Sequence, residues 1–393
     1  MVLALLVINL IKYFFMLIKN LTYSYNDVII KPAIISEIEH RNQCNPFYDD
    51  GFLPIFTAPM SSVVNEENFD LFERNYIHSI LPRNIDLEIR LNYSLKNKWA
   101  AFSLQEFEEY FCTEKNFESY INFQKKVLID VANGHMKKIY DLVKISKSIY
   151  GSSIQIMIGN IANPLTYIEC ANAGVDYVRL SIGSGSCCIT SSNLGVHYGI
   201  ASLIDEVYQI KVKLSTENEK YNIETLPKII ADGGIRNYSD IIKALALGAD
   251  YVMVGGLFAS LIESAGKTYI EKSNGDVVEL FPLIEHDIEE KNNAFIIRNK
   301  YENICERLTD TIYKVCYGMA SKDGQMSING EKTKTSEGIT KTIKATTNIY
   351  KWSKNMIDYM RSAMSYLNIK NINKLINSEV YLMSYNLKES INK

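Results

Sequence analysis

The sequence carries no excess of positive charge. Its 393 residues include 42 Lys and Arg against 45 Asp and Glu, which gives a formal net charge of −3. This excludes the strongly basic surface that marks nucleic-acid binding proteins, so we expect no nucleic-acid partner. Small anionic ligands remain compatible with this charge, because backbone N–H groups can bind them whatever the net charge of the chain.

Zinc-binding patterns are also absent, since the sequence has no CxxC pair and no histidine-rich tract. The odd number and irregular spacing of the cysteines in a long chain are typical of free thiols in a reducing compartment. We therefore expect a cytoplasmic protein in which a reactive cysteine is chemically feasible. The seven cysteines are Cys44, Cys112, Cys170, Cys187, Cys188, Cys305 and Cys316.

A clear membrane-spanning or signal segment is missing from residues 1–20. Lys12 separates the largely apolar run Met1–Ile11 from Tyr13–Ile18, and neither run has the roughly 20 apolar residues of a spanning helix. The segment also lacks a basic start and a small-residue cleavage site. We predict a packed or peripheral hydrophobic extension at residues 1–20. A peripheral membrane anchor and a start at Met16 are the alternatives.

Eight short runs rich in apolar residues recur along the chain, with helical patterns between them. Continuous runs of this kind are typical of strands buried on both faces. Eight alternating β and α units predict a (β/α)8 barrel at residues 21–368, followed by a C-terminal tail at residues 369–393. The runs span residues 54–60, 77–81, 99–104, 127–132, 155–161, 177–183, 228–234 and 251–256.

Two stretches interrupt the regular barrel pattern after the eighth predicted strand. Residues 267–313 are charged and without clear periodicity, and we predict an irregular insertion there. Residues 317–338 are polar and long enough to form a flap over an active site. The amphipathic segment Ile349–Leu367 is predicted to pack back on the barrel.

Glycine pairs follow the seventh and eighth predicted strands, where (β/α)8 barrels bind phosphate through free backbone N–H groups. Asp232 stands directly before Gly233 and Gly234, and its negative charge is unsuited to phosphate. We therefore place Asp232 on a pair of sugar hydroxyls. Gly255 and Gly256 are predicted to open a helix that runs to about residue 264.

The motif GSGSCCIT (183–190) lies at the predicted end of the sixth strand. Together with ADGGIRNYSD (231–240), YGMAS (317–321) and RSAMSYL (361–367), it resembles the IMP dehydrogenase / GMP reductase family. The resemblance covers roughly residues 21–367, including LTYSYNDVIIKPA and IFTAPMSSV near its start. It implies a (β/α)8 barrel, usually tetrameric, that binds a purine nucleotide and a nicotinamide cofactor.

The resemblance also implies a catalytic set. Cys188 is placed as the nucleophile that attacks C2 of the purine, and Thr190 and Glu337 as the groups that carry protons. Cys187 falls at a variable apolar position, where we expect a small buried side chain. A potassium ion is implied on the backbone carbonyls of Gly183, Gly185 and Cys188.

Further residues are assigned to ligand binding. For Asn160, which follows the fifth predicted strand, an ordinary turn at the barrel rim is the alternative. Lys334 stands where reductases of the family commonly have arginine. The residues expected on the nucleotide are Ser186, Asp232, Gly233, Gly234, Gly255, Gly256, Gly318, Met319 and Ala320. Those expected on the cofactor are Asp130, Ala132, Asn133, Asn160, Ser321 and Lys334.

Three features of the sequence favour a reductase within this family. Only about 17 residues separate the second and third predicted strands, too few for the CBS-pair module usual in the dehydrogenases. No arginine occurs between Tyr317 and Trp352, whereas those dehydrogenases use a flap Arg-Tyr pair to activate water. The stretches DVANGH (130–135) and KTSEG (334–338) are reductase-like.

We therefore predict a homotetrameric enzyme that uses NADPH to convert GMP into IMP and ammonia, with no membrane partner. The alternative enzyme is an IMP dehydrogenase that lacks the regulatory module and uses NAD⁺. The non-enzyme alternative is a pseudoenzyme that binds purine nucleotides as a sensor. A modified purine nucleotide is a further alternative as substrate.

Overall fold

The structure is a computed structural model. The predicted hydrophobic extension at residues 1–20 lies outside the described residues, as does the end of the predicted tail at residues 383–393. Among the helices that are described, none is both long and apolar enough to cross a membrane. The structure describes residues 21–113, 123–216, 225–271, 277–280, 286–291, 294–299, 305–308, 311–331, 333–345, 347–376 and 378–382.

Eight parallel strands form a closed barrel, as predicted. From the second strand to the eighth, each strand pairs with the next; the eighth pairs with the first, and a bridge between Phe56 and His78 joins the first strand to the segment that leads into the second. The strands are β1 (Ile55–Thr57), β2 (Ile80–Leu81), β3 (Trp99–Phe102), β4 (Lys125–Asp130), β5 (Ile154–Ile161), β6 (Tyr177–Leu180), β7 (Lys228–Asp232) and β8 (Tyr251–Val254).

Helices alternate with these strands and cover the outside of the barrel. Side-chain N-caps fix where several of them begin; Ser103 and Asn237, for example, each accept a backbone N–H from the first turn. The helices that follow β1 to β7 are α1 (Glu66–Arg74), α2 (Leu87–Leu95), α3 (Leu104–Phe111), α4 (Lys137–Tyr150), α5 (Thr166–Ala173), α6 (Thr190–Leu194), α7 (Ile200–Thr216) and α8 (Tyr238–Ala246).

Aromatic side chains fill the barrel at the N-terminal end of its strands. Trp99, Tyr177 and Tyr251 are the first residues of β3, β6 and β8, and their rings meet edge to face or tilted at 5.1–5.9 Å. Phe56 packs against the same group and is 1% exposed. This end of the barrel is therefore a packed core, and the polar residues collect at the opposite, C-terminal end.

The predicted helix from Gly256 to about residue 264 is wrong in its length. The helix α9 (Gly256–Ala259) ends after one turn. The N–H of Ile262 donates to the carbonyl of Thr347 at 3.2 Å, and the Lys314 ammonium donates to the carbonyl of Ser264 at 2.7 Å. Neighbouring segments thus bind the backbone groups that a longer helix would have used internally.

The prediction of an irregular insertion at residues 267–313 is also wrong, because its described parts are antiparallel strands. Four strands pair in the order β10, β9, β14, β15, and three more in the order β11, β12, β13. These strands are β9 (Thr268–Glu271), β10 (Val277–Leu280), β11 (His286–Lys291), β12 (Ala294–Asn299), β13 (Cys305–Leu308), β14 (Thr311–Tyr317) and β15 (Thr340–Lys344).

The sequence contained two signals for these strands. The segment TIYKVCY of β14 is rich in the β-branched and aromatic residues that favour strands. Asn274-Gly275, the dipeptide most typical of a hairpin turn, stands between β9 and β10 in the sequence. The many charged residues obscured both signals because they lower the apolar content on which strand recognition depends.

The flap at residues 317–338 connects β14 to β15 and contains the helix α10 (Lys322–Asn329). After it, α11 (Ile349–Tyr366) packs on the barrel through buried residues that include Trp352 and Met356. The chain then returns to its beginning, where Val380–Leu382 pairs antiparallel with Val28–Ile30. Residues 380–382 are thereby held against residues 28–30.

A buried ion pair at the start of α3 provides a test of the fold. The Arg90 side chain is 4% exposed and donates to both carboxylate oxygens of Glu106, at 3.1 and 2.8 Å. We expect Glu106→Ala to lower the free energy of unfolding by about 3–5 kcal/mol, because it leaves a buried cation without its partner. Denaturant unfolding monitored by circular dichroism measures this loss.

The matched control is Glu108→Ala, which removes the partner of Lys138 from a pair with both side chains at least 43% exposed. Exposed pairs contribute about 1 kcal/mol or less, so this variant should unfold close to the wild type. Equal effects of the two substitutions would contradict the assignment of the Arg90 pair to the buried structure.

Candidate active site

A cavity of about 350 Å³ opens at the C-terminal ends of the barrel strands. Loops after β1, β2 and β4 to β8 surround it, and the flap covers one side. This volume lies in the range of small-molecule binding sites, and its position is the one at which barrels of this class hold their ligands.

The cavity brings together most of the residues that the sequence singled out. Their proximity is a finding of the structure, while their individual roles stay predictions. The predicted residues that line the cavity are Asp130, Ala132, Asn160, Gly183, Gly185, Ser186, Cys188, Thr190, Asp232, Gly233, Gly234, Gly255, Gly256, Gly318, Met319, Ala320 and Glu337.

Three residues predicted to bind the cofactor do not line the cavity. The Ser321 hydroxyl is buried and accepts the N–H of Gly324 at the start of α10. The Asn133 side chain accepts the N–H of His135 at 3.1 Å, and Lys334 is exposed on the flap. Ser321 therefore shapes the flap in this structure, and cofactor contacts of all three residues stay predictions.

A hydrogen-bonded series runs from the candidate nucleophile to a carboxylate. The Cys188 thiol donates to the Thr190 hydroxyl at 3.2 Å, and that hydroxyl donates to Glu337 Oε2 at 3.1 Å. Glu337 lies 147 positions after Thr190 in the chain, so the contact depends on the docking of the flap. The arrangement lets a proton pass between the carboxylate and the sulfur through a single hydroxyl.

Backbone pairing sets the position of the flap on this cysteine loop. The N–H of Ile189 donates to the carbonyl of Glu337 at 3.0 Å, and the N–H of Ile339 donates to the carbonyl of Cys187 at 2.9 Å. A side chain at Gly338 would lie 2.8 Å from the N atom of Ser321, which is too close for any Cβ. The register therefore requires glycine directly after the carboxylate.

Glycines of both pairs lie against the cysteine loop, Gly256 beside Ser186 and Gly233 beside Gly185. A Cβ at Gly256 would lie 2.8 Å from the Ser186 hydroxyl oxygen, so the hydroxyl rests against the glycine backbone. Gly233 and Gly234 have φ values of +100° and +76°, a conformation that disfavours other residues. Exposed backbone in this form is suited to the close approach of an anion such as phosphate.

Sequence reasoning missed Arg179, the buried cation of the site. Its side chain is 8% exposed and donates to Asp130 Oδ1 at 2.8 Å and to Asp232 Oδ2 at 2.9 Å. Burial opposes the charge, but the two carboxylates together raise the pKa of Arg179 overall. An arginine within the otherwise apolar run YVRLSI was the available signal, because such a charge is buried only with partners.

Two neighbours complete this network around Arg179. Asn160 donates its amide N–H to Asp232 Oδ2 at 2.7 Å, which links the end of β5 to the end of β7. A Cβ at Gly159 would lie 2.4 Å from the Cβ of Arg179, so glycine is required there to make room for the arginine.

The structure also defines the hydrogen bonds of His135 and Arg83. The His135 Nε2 accepts the N–H of Ala162 at 3.1 Å, and its Nδ1 lies 3.1 Å from the Thr166 hydroxyl. This histidine holds the loop after β5 and does not line the cavity. Arg83 does line it, and donates to the carbonyl of Asp130 at 3.2 Å.

Several known proteins are similar to this chain in sequence. The family model described as "IMP dehydrogenase / GMP reductase domain" matches residues 120–278. The GMP reductase of Staphylococcus epidermidis is 31% identical over 254 residues, which cover 63% of this chain and 74% of that protein. The GMP reductase of Pediococcus pentosaceus is 29% identical over 259 residues, with the same coverage. That of Oceanobacillus iheyensis is 28% identical over 268 residues, covering 66% and 77%.

The matched region contains the cysteine loop, the glycine pairs and the buried Arg179 network, all of which surround the same cavity. The resemblance that the motifs indicated is thus confirmed, and the chain belongs to the IMP dehydrogenase / GMP reductase family.

Proposed function

We propose that the protein is a GMP reductase-like oxidoreductase that converts GMP into IMP and ammonia at the expense of NADPH. The observation that carries the proposal is the series Cys188–Thr190–Glu337, which places a carboxylate within one hydroxyl of a cavity-lining thiol. The relatives named above, which are GMP reductases, add support.

In this proposal Cys188 is the nucleophile. Its proton leaves through Thr190 towards Glu337, and the thiolate then adds to C2 of the purine. The same two groups return a proton to the amino group at C2, which departs as ammonia and leaves the purine bound to sulfur. When a hydride has replaced the amino group at C2, the carbon–sulfur bond breaks, and IMP is released with the thiolate restored.

NADPH, when bound, supplies this hydride. Among the residues that line the cavity, Asp130 and Asn160 would offer polar groups to the carboxamide of the nicotinamide ring, and Val131 and Ile182 would offer apolar side chains. Arg179 offsets one of the two negative charges of Asp130 and Asp232, which reduces the repulsion of a negatively charged ligand.

The nucleotide would occupy the adjoining part of the cavity, since Asp232 is hydrogen-bonded to Asn160. Gly255 and Gly256 would offer backbone N–H groups to a phosphate beside the Ser186 hydroxyl, and Asp232 would accept from ribose hydroxyls. In our proposal Gly318, Met319 and Ala320 of the flap cover the purine.

We also propose that a potassium ion binds the carbonyl groups of Gly183, Gly185 and Cys188. The Gly183 oxygen accepts from the Ser191 hydroxyl at 3.3 Å, and the Gly185 oxygen accepts from the Cys188 N–H at 3.0 Å. Each carbonyl oxygen has a second lone pair, and neutral oxygens are suitable ligands for a monovalent cation. We further propose a cytoplasmic homotetramer, which the sequence and its resemblance indicate.

The first test measures the reaction directly. Purified protein with potassium, GMP and NADPH should lose nicotinamide absorbance, and Cys188→Ser should lose that activity while still binding GMP in calorimetry. A rise in absorbance with IMP and NAD⁺ would instead assign the protein as a dehydrogenase. Nucleotide binding without turnover in either direction would assign it as a sensor.

The second test addresses proton transfer. Glu337→Gln keeps the shape of the side chain but removes the carboxylate, so we expect kcat for GMP to fall roughly 10²–10⁴-fold while KM changes little. The matched control is Glu331→Gln, an exposed position on the same flap. A Glu337→Gln variant with wild-type kcat would remove the carboxylate from the mechanism.

The third test concerns the buried network. Arg179→Met leaves Asp130 and Asp232 without their shared cation, so we expect kcat/KM to fall roughly 100-fold or more. Arg179→Lys keeps the charge but not the forked donors, so its kcat/KM should lie between those of the wild type and Arg179→Met. Steady-state kinetics measure these changes, with Tm recorded for each variant. A kcat/KM of Arg179→Met equal to that of the wild type would contradict the role of the network.

A further inference from the structure

Two thiols meet where the flap joins the cysteine loop. The Sγ atoms of Cys187 and Cys316 lie 3.5 Å apart, although the residues are 129 positions apart in the chain. Cys187 directly precedes the candidate nucleophile, and Cys316 lies near the end of β14, one residue before the flap begins. Both side chains are buried, at 5% and 2% exposure.

The backbone holds the two cysteines together independently of their sulfur atoms. The carbonyl of Cys187 accepts the N–H of Ile339, and a Cβ at Gly318 would lie only 3.1 Å from the same carbonyl oxygen. A disulfide bond has an S–S distance of about 2.05 Å, so the sulfurs must approach by roughly 1.5 Å. Rotation of the two side chains, with a small shift of the loop, covers such a distance.

The two thiols differ in accessibility and in acidity. Cys187 lines the cavity and Cys316 does not, so we expect a small oxidant that enters the cavity to meet Cys187 first. A hydrogen bond from the Cys316 thiol lowers the pKa of Cys187, with help from the Ser186 hydroxyl and the Lys341 ammonium and against the effect of burial. The same contact raises the pKa of Cys316. A thiolate beside a neutral thiol is the usual arrangement of an attacking and a resolving cysteine.

We propose that Cys187 and Cys316 are a modification site at which a peroxide forms a reversible disulfide, cross-linking the base of the flap to the cysteine loop. The Cys187 thiolate attacks one oxygen of hydrogen peroxide, the O–O bond breaks, and hydroxide leaves. The Cys316 sulfur then attacks the resulting sulfenic acid, and its proton and the sulfenic hydroxyl leave as water. Two electrons pass from the thiols to the peroxide.

The cross-link acts on both sides of the site. It ties the beginning of the flap, Gly318–Ala320, to the loop that carries Cys188, so the cover over the proposed purine position no longer lifts. It also displaces the backbone next to the nucleophile, and a misplacement of about 1 Å can cost two orders of magnitude in rate. Formation of the bond does not depend on the proposed function; only its effect on turnover rests on that function.

Cys188 is the competing target of oxidation. Its thiol donates to Thr190, and it lines the same cavity. A sulfenic acid on Cys188, or a bond between the adjacent Cys187 and Cys188, would also stop turnover. The experiment must therefore identify the bond as well as the loss of activity.

The test treats the full-length protein with hydrogen peroxide at a small molar excess, blocks the remaining thiols with iodoacetamide and maps the peptides by mass spectrometry. We expect one linked pair containing Cys187 and Cys316, lighter by two hydrogen atoms than the sum of its reduced peptides. GMP-dependent loss of NADPH should fall at least tenfold and return after dithiothreitol.

Cys316→Ser is the decisive variant, because Cys316 does not line the cavity and the serine hydroxyl is of similar size. Under the same treatment it should give no linked peptide, and dithiothreitol should restore less of its activity. Cys112→Ser, a half-buried position that is likewise absent from the cavity lining, should behave as the wild type.

Three results would overturn the proposal: no linkage between Cys187 and Cys316, a bond between Cys187 and Cys188 instead, or equal reversible inactivation of the wild type and Cys316→Ser. If the untreated wild type shows no turnover of GMP, the proposed function fails, and the peptide map still decides the modification. In that case a dithiothreitol-reversible rise in Tm, seen in the wild type but not in Cys316→Ser, reports the cross-link.

Discussion

The pairing of the flap with the cysteine loop is the contact on which the candidate site depends. Two backbone hydrogen bonds, from Ile189 to Glu337 and from Ile339 to Cys187, join segments that are about 150 positions apart in the chain. They set the register in which the Glu337 carboxylate reaches the Thr190 hydroxyl, and through it the Cys188 sulfur. Without this pairing the cavity keeps its glycines and its buried arginine but loses the carboxylate that serves the thiol.

The barrel supplies the other half of the site through a buried charge network. Asp130, Arg179 and Asp232 end or interrupt three different strands, and Arg179 joins the two carboxylates while Asn160 reinforces one of them. Because each charge has a partner within hydrogen-bond distance, the network tolerates burial and fixes the positions of three loops at once. The flap is placed by backbone hydrogen bonds and the barrel rim by ion pairs, so the two halves have separate physical origins.

The sequence predicted the barrel well because buried parallel strands are continuous apolar runs, which need no knowledge of the partner strand. It also predicted most of the cavity lining, because glycines and polar residues at strand ends meet at one rim. Arg179 was missed because a charged residue inside an apolar run can be buried only with partners, and these partners come from other strands. The strands after β8 were missed for a related reason, since antiparallel pairing of charged segments leaves little trace in local composition. The length of α9 was predicted wrongly because segments distant in the chain bind the backbone groups that follow this helix.

The aromatic core at the N-terminal end of the barrel limits how ligands enter and leave the cavity. Phe56, Trp99, Tyr177 and Tyr251 close that end, so the described part of the barrel offers no passage from the cavity through its floor. Whatever enters the cavity must therefore leave by the mouth through which it came, past the same flap. Ligands that occupy different depths would therefore have to depart through that one mouth in order, the outermost first.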